Sequence, residues 1–81
     1  MNEPVCRWGF LGAANIARKN WLAVRNAGNA NLAAVASRDV NRAERFVDQC
    51  QSIHPFDVAP DPIDGYETLL DRDDIDAVYI P

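Results

Sequence analysis

The spacing of apolar and polar residues changes several times along the chain. Val5 to Leu11 carries Val, Cys, Trp, Phe and Leu, is broken only by Arg7 and Gly9, and runs into Gly12. A short apolar run closed by glycine predicts a buried strand. From Ala14 to Ala27 the period becomes helical. Ala14, Ala17, Trp21 and Val24 make one stripe, Ile16, Ala23 and Ala27 widen it, and Arg18, Lys19, Arg25 and Asn26 fall mostly outside it. Gly28 then offers a left-handed stop without a Cβ penalty.

Asn31 to Ser37 is again short and apolar, bounded by Gly28-Asn29 before it and Arg38-Asp39 after it. That length predicts a second buried strand rather than a helix. Asp39 has the chemistry of an N-cap. Beyond it Val40, Ala43, Val47 and Cys50 form a stripe with Phe46 beside it, while Arg42, Glu44, Arg45 and Asp48 face water, so a helix is predicted to about Ser52. His54 to Gly65 holds Pro55, Pro60 and Pro62, which cannot donate to a central ladder. At most a short strand is expected there, near Phe56 to Ala59. Asp64 and Glu67 are spaced as a capping box, which predicts a short helix from Gly65 to Asp71. Arg72 to Asp76 reads as a charged turn, and Ala77 to Ile80 as one more buried strand before Pro81.

Alternating apolar strands and amphipathic helices predict an α/β fold with a parallel sheet and helical crossovers. In the usual doubly wound arrangement the strands run 3-2-1-4, giving a partial, three-layer Rossmann-type sheet truncated after its fourth strand. The first two helices would cover one face and the third helix part of the other. The fourth strand would be an open edge, a known association hazard. This incompleteness leads to the expectation that residues 1–81 are the N-terminal portion of a longer domain.

Composition narrows the function classes. Eight basic against twelve acidic residues give a net charge of −4, against a nucleic-acid footprint, which needs a clustered basic excess. The apolar runs fall far short of the ~20 residues of a membrane span, and Met1-Asn2-Glu3-Pro4 has no secretory character, so a cytoplasmic protein without membrane contact is expected. Cys6, Cys50 and the single His54 show no metal-ligand spacing. The two cysteines are expected as buried thiols, a disulfide remaining open.

The chemistry lies at the end of the first strand. Gly12-x-Ala14-x-x-Ala17 is a degenerate form of the G-x-G-x-x-G/A turn that links a strand to a helix and receives a pyrophosphate. Gly12 would serve the tight turn. Ala14 would allow close approach of backbone to the ligand, and Ala17 would allow close packing of helix on strand. The pyrophosphate would meet free N–H groups at the positive end of the first helix. Small residues in a tight β–α turn can also serve packing alone. An NAD site expects Asp or Glu about 20 residues on, at the end of the second strand. Ser37 stands there instead, with Arg38 next and Arg42 one helical turn beyond. A hydroxyl beside guanidinium groups suits a 2′-phosphate, so NADP is favoured over NAD, with NAD left open and with Asp39 as an opposing charge. Taken singly, Arg38 or Arg42 would read as a solvated surface arginine.

Four blocks together carry a resemblance: Arg7-Trp8-Gly9-Phe10-Leu11-Gly12-Ala13-Ala14-Asn15-Ile16-Ala17, Val35-Ala36-Ser37-Arg38-Asp39, Tyr66-Glu67-Thr68-Leu69-Leu70, and Ile75-Asp76-Ala77-Val78-Tyr79-Ile80-Pro81. In this order they resemble the N-terminal half-domain of the glucose–fructose oxidoreductase/inositol dehydrogenase (Gfo/Idh/MocA) family. The resemblance implies a dinucleotide-binding Rossmann domain followed by a substrate domain that this chain lacks. It also implies NAD(P)-dependent oxidation or reduction of a sugar, cyclitol or related alcohol, often by an oligomer. It would place Gly12, Ala13, Ala14, Asn15 and Ile16 at the pyrophosphate. Ser37, Arg38 and Arg42 would lie at the 2′-phosphate, and Tyr79, Ile80 and Pro81 near the nicotinamide ribose. The family's Glu-Lys-Pro motif and catalytic histidine would fall beyond Pro81, so no catalytic residue is assigned and turnover by this chain alone is not expected. The proline-rich Ser52 to Gly65 departs from the family's third strand. A non-catalytic nucleotide-binding or interaction module, or an inert fragment, stays open beside the enzyme reading.

The remaining residues point to bland roles. Lys19 and His54 are expected in solvent. Trp8 and Trp21 are expected in packing, and Asp71, Asp73, Asp74 and Asp76 in a solvated turn rather than a metal site.

Overall fold

The computed structural model describes residues 5–13 and 15–81. Strand β1 (Cys6–Leu11) leads to helix α1 (Ala17–Asn26), β2 (Ala30–Ser37), α2 (Val40–Ile53), β3 (Asp61–Asp64), α3 (Tyr66–Leu70) and β4 (Ala77–Tyr79). The sheet order is β3-β2-β1-β4 and every pair is parallel, as the alternation predicts. Parallel strands force crossovers, and each crossover here is a helix.

The central pair fixes which side chains meet which layer. Trp8 pairs with Leu32 but Gly9 with Ala34, so the register slips by one residue at Ala33. Because side chains alternate with period two, this bulge lets Leu32 and Val35 share one face and Ala34 and Ala36 the other. The first face packs Phe10, Leu32 and Val35 against Ala17, Trp21 and Val24 of α1 and Phe46, Val47 and Cys50 of α2. The second packs Ala34, Ala36 and Ile63 under Leu69 of α3. A Cβ on Gly9 would sit 2.7 Å from Leu69 Cδ2, so glycine in β1 lets α3 lie close to the sheet.

Trp21 is the central side chain of the larger core. It is fully buried, with its ring edge-on to Phe46 at 5.9 Å and to Phe56 at 5.1 Å, and its indole N–H donates to the His54 carbonyl at 2.9 Å. Cys50 is buried and Cys6 half-buried, and both are free thiols. Burial pushes the Cys50 thiol pKa up, against the pull of the Arg18 guanidinium.

Several local expectations are corrected. The third strand lies at Asp61–Asp64, not at Phe56 to Ala59. Pro62 is admissible because β3 is an edge strand with one unpaired side, and Ile63 supplies the buried side chain that holds it to α3. Phe56 is instead bracketed by one side chain. The Gln51 amide donates to its carbonyl at 2.7 Å and accepts from its N–H at 3.0 Å, standing in for a strand partner. Helix α1 begins at Ala17 rather than at Ala14, which lies outside the described residues. Ile16, Ala23 and Ala27 are exposed, so the stripe is narrower than the pattern implied. Gly28 is not left-handed. The helix instead leaves through an extended Ala27 with φ −75° and ψ 128°. The Asp64–Glu67 box does not form, because Gly65, at φ 90°, is the residue before α3. Asp39 does cap α2, its carboxylate accepting from the Asn41 N–H at 3.0 Å.

At the N-terminal ends of the strands, charge ties the edge strand β4 down. Arg7 holds Asp76 through Nε at 3.0 Å and Nη2 at 3.1 Å, and the two residues also exchange backbone bonds: Arg7 N–H to Asp76 Oδ2 at 2.9 Å and Asp76 N–H to Arg7 O at 2.7 Å. The guanidinium holds the Asp76 pKa down at about 2. Arg72 likewise pairs with Asp74 at 2.6 Å and with Asp61 at 3.1 Å. The acidic turn is thus divided between separate arginines, and among the described residues no three His, Cys, Asp or Glu side chains converge as metal ligands. Among the same residues no helix is long and apolar enough to cross a membrane.

Candidate functional site

All four strands end on one side of the molecule, and the residues singled out from the sequence gather there. Leu11 pairs with Ala36, so the turn at Gly12 emerges beside Ser37. Phe10 pairs with Tyr79, so the end of β4 flanks the same turn. Gly12 has φ +141°, in the left-handed region that favours glycine, and a Cβ on it would lie 3.2 Å from Pro81 Cγ. Glycine is therefore required twice over, by backbone conformation and by the close approach of Pro81. Ala14 lies outside the described residues, so its close-approach role is not placed.

After the turn, α1 starts without a side-chain cap. Arg18 and Lys19 donate their N–H groups to the carbonyls of Asn15 and Ile16. No backbone carbonyl among the described residues accepts from the Asn15 or Ile16 N–H. Such groups at the positive end of a helix are donors for an anion. The Ile16 side chain is 56% exposed.

Beyond the turn, a groove of about 410 Å³ runs between α1 and α2, lined by Ala13, Asn15, Arg18, Arg42, Arg45, Phe46 and Gln49. It brings Ala13 and Asn15 of the turn together with Arg42, 27 to 29 positions later in the sequence. Arg18 is held in the wall: it donates to Gln49 and to the Cys50 sulfur at 3.7 Å, and its guanidinium lies 5.6 Å from the centre of the Phe46 ring. Arg38 and Arg42 are exposed and, among the described residues, form no ion pair or side-chain hydrogen bond.

Ser37 departs from the simple expectation. It is buried, its hydroxyl accepts from the Asp39 N–H at 3.3 Å, and its carbonyl accepts from the Gly65 N–H at 2.8 Å. It shapes the β2–α2 turn, and only the hydroxyl hydrogen is left to donate. Tyr79 is half-buried, edge-on to Phe10 at 5.4 Å, while Ile80 and Pro81 are exposed.

Arg18, which the sequence pattern places mostly off the stripe, and Arg45, which it places in water, are groove residues, as is Gln49, which it does not single out. Arg42, Arg45 and Gln49 do recur at helical spacing along one side of α2, but only the packing of that side against α1 makes it a groove. A larger concavity, about 570 Å³, lies at the opposite ends of the strands among Arg7, Arg25, Arg72, Asp61 and Asp74. Its arginines are already committed: Arg7 and Arg72 to carboxylates, Arg25 to the Pro55 carbonyl at 2.9 Å. On the turn side, by contrast, none of Arg38, Arg42 and Arg45 has a carboxylate partner among the described residues.

A family model for oxidoreductases with an NAD-binding Rossmann fold (Gfo/Idh/MocA) matches residues 6–81. The chain belongs to the Gfo/Idh/MocA oxidoreductase family. The dTDP-3,4-didehydro-2,6-dideoxy-alpha-D-glucose 3-reductase of Streptomyces antibioticus is 40% identical over 84 aligned residues, covering 100% of this chain and 23% of the reductase. The D-xylose 1-dehydrogenase (NADP(+)) 2 of Haloferax volcanii is 38% identical over 74 residues, covering 91% of this chain and 21% of the dehydrogenase. Among solved structures, KijD10, a 3-ketoreductase from Actinomadura kijaniata in complex with NADP, matches with a TM-score of 0.78 at 36% identity, covering 98% of this chain and 23% of KijD10. The chain therefore spans 21–23% of the length of these relatives. Within the Gfo/Idh/MocA family it corresponds to the N-terminal, nucleotide-binding part.

Proposed function

We propose that residues 1–81 are the N-terminal portion of a dinucleotide-binding domain that takes NADP(H) in preference to NAD(H), in an oxidoreductase acting on a sugar, cyclitol or related alcohol. The observation that carries this reading is the groove in which the Gly12 turn and α2 meet, with Ala13 and Asn15 on one side and Arg42 on the other. Its donor set fits a phosphorylated adenosine. The positive-φ turn at Gly12 brings Ala13 and Asn15 to the groove, and the Asn15 and Ile16 N–H groups, which have no backbone acceptor among the described residues, can receive a pyrophosphate. Arg38 and Arg42, without carboxylate partners among the described residues, supply charge for a 2′-phosphate. The Asp39 carboxylate is held at the start of α2 by the Asn41 N–H. Tyr79, Ile80 and Pro81 would border the nicotinamide ribose. Bound here, the nicotinamide would supply the hydride chemistry, and the chain's own residues hold and orient the cofactor. The NADP complex of KijD10 and the NADP-linked xylose dehydrogenase support the cofactor choice.

The test is titration of the chain with NADPH and NADH, followed by nicotinamide fluorescence and thermal stability, before and after Arg38→Ala. The reading expects tighter NADPH binding with a raised melting temperature, and loss of that preference in the variant with little change for NADH. Equal loss for both cofactors would assign Arg38 a structural role. Absence of binding by the folded chain would refute the proposed cofactor site in this chain.

A further inference from the structure

Arg45 lines the same groove as Arg42, Ala13 and Asn15, one helical turn farther along α2. Its side chain is exposed. Its one hydrogen bond among the described residues is long: Nε to its own helix at the Asn41 carbonyl, 3.4 Å. That bond leaves both terminal nitrogens free. No carboxylate lies within ion-pairing distance of Arg42 or Arg45 among those residues. Arg18, on the facing helix, is different. Gln49, Cys50 and the Phe46 ring fix it, so it forms a wall of set position and charge. The groove is therefore cationic on both sides, with one guanidinium held and two free to close on a ligand.

We propose that Arg45 is a further specificity-determining residue, closing with Arg42 on the 2′-phosphate of the cofactor from the α2 side while Arg18 sets the opposite wall. This rests on the proposed dinucleotide site. It adds that the phosphate is held in the inter-helix groove and not solely at the Ser37–Arg38 turn, where Ser37 is buried and Arg38 does not line the groove.

Arg45→Gln, Arg45→Lys and Arg38→Ala are titrated with NADPH, NADH and adenosine 2′,5′-bisphosphate, the last carrying the 2′-phosphate without the nicotinamide. The expected result for Arg45→Gln is a roughly 5- to 20-fold weaker affinity for NADPH and for the bisphosphate, the scale of one partly solvated charge-assisted contact. NADH affinity and the melting temperature of the free chain stay the same, Arg45→Lys recovers part of the loss, and the salt dependence of NADPH binding becomes shallower. A merely structural Arg45 would move NADH affinity or the melting temperature as well, and that result overturns the proposal. If Arg38→Ala abolishes the NADPH preference and Arg45→Gln leaves it intact, the groove assignment falls while the cofactor reading stands. If the unmodified chain shows no preference for the 2′-phosphate, the cofactor reading fails and the role of Arg45 fails with it.

Discussion

Trp21 offers the sharpest test of how this small domain is held together. Its indole is fully buried between the sheet and α2 and reaches the loop after α2 through the His54 carbonyl, so one side chain ties three segments. Trp21→Phe keeps an aromatic ring but deletes the N–H donor and part of the edge-on contact with Phe46 and Phe56. The lost hydrogen bond is worth about 1 kcal/mol, and the weakened aromatic pairs and residual void about 1–2 kcal/mol more. The variant should therefore lose roughly 2–3 kcal/mol, with the melting temperature falling by roughly 10–20 °C in a domain of this size. Trp21→Ala adds most of the side-chain transfer and cavity cost, about 3–5 kcal/mol before the hydrogen bond is counted. That compares with a total stability of roughly 4–12 kcal/mol for a chain of this length. Urea denaturation followed by far-UV circular dichroism measures both variants without relying on the removed fluorophore, with Trp8→Phe, at a half-buried position, as the reference. A Trp21→Phe loss below about 0.5 kcal/mol, with an unchanged urea slope, would refute this account of the core.

Two other perturbations test the two ends of the sheet. Gly9→Ala drives a Cβ to 2.7 Å from Leu69 Cδ2 and 3.3 Å from Ile75, and Leu69 is fully buried with nowhere to retreat. Overpacking of this kind costs about 1–3 kcal/mol. Adding Leu69→Ala should give a double variant less destabilised than the two single losses added, read by chemical denaturation as a mutant cycle. Asp76 has its pKa held down at about 2 by Arg7, so its contribution is present above the unfolded value of about 4 and is lost as pH falls toward the folded value. Melting temperatures measured from pH 7 down to pH 2 should show a smaller acid-induced fall in Asp76→Asn than in the unmodified chain, and equal falls would show that the Arg7 clamp contributes nothing.

The strands and two long helices were legible because burial on one stripe or in one short run leaves a strong period. Of the residues the pattern nominated, Ala17, Trp21 and Val24, and likewise Ala43, Phe46, Val47 and Cys50, are buried, whereas Val40 is half-buried and Ile16, Ala23 and Ala27 are exposed. Where expectation and structure part, a tertiary partner overrode a local preference. Pro62 argued against a strand, yet at a sheet edge its missing N–H has no ladder to break, and Ile63 beneath α3 decides the matter. Asp64 and Glu67 had capping-box spacing, but Gly65 intervenes with φ 90°. At the site, the turn at Gly12 and the residues Arg38 and Arg42 could be read from spacing alone. Arg18 and Arg45 could not, because membership of the groove depends on how α1 packs against α2. That packing is set by Trp21 and Phe46 rather than by any motif.

The distribution of charge follows from the direction of the strands. A parallel sheet sends every strand start to one side and every strand end to the other, so the two sides can be given different electrostatic roles within one short chain. On the side of the strand starts, Arg7 and Arg72 are neutralised by Asp76, Asp74 and Asp61, and the ion pairs tether β4 and β3, the two strands with only one neighbour. On the side of the strand ends, Arg38, Arg42 and Arg45 are left without ion pairs, and the Asn15 and Ile16 N–H groups before α1 without backbone acceptors, among the described residues. An overall excess of acid is thus compatible with a local attraction for phosphate, because Asp61, Asp74 and Asp76 are paired at the far side and no carboxylate pairs with Arg38, Arg42 or Arg45 among the described residues. The same division accounts for the larger concavity being the less suited to an anion: two of its three arginines, Arg7 and Arg72, are ion-paired, whereas, among the described residues, none of the smaller groove's arginines is.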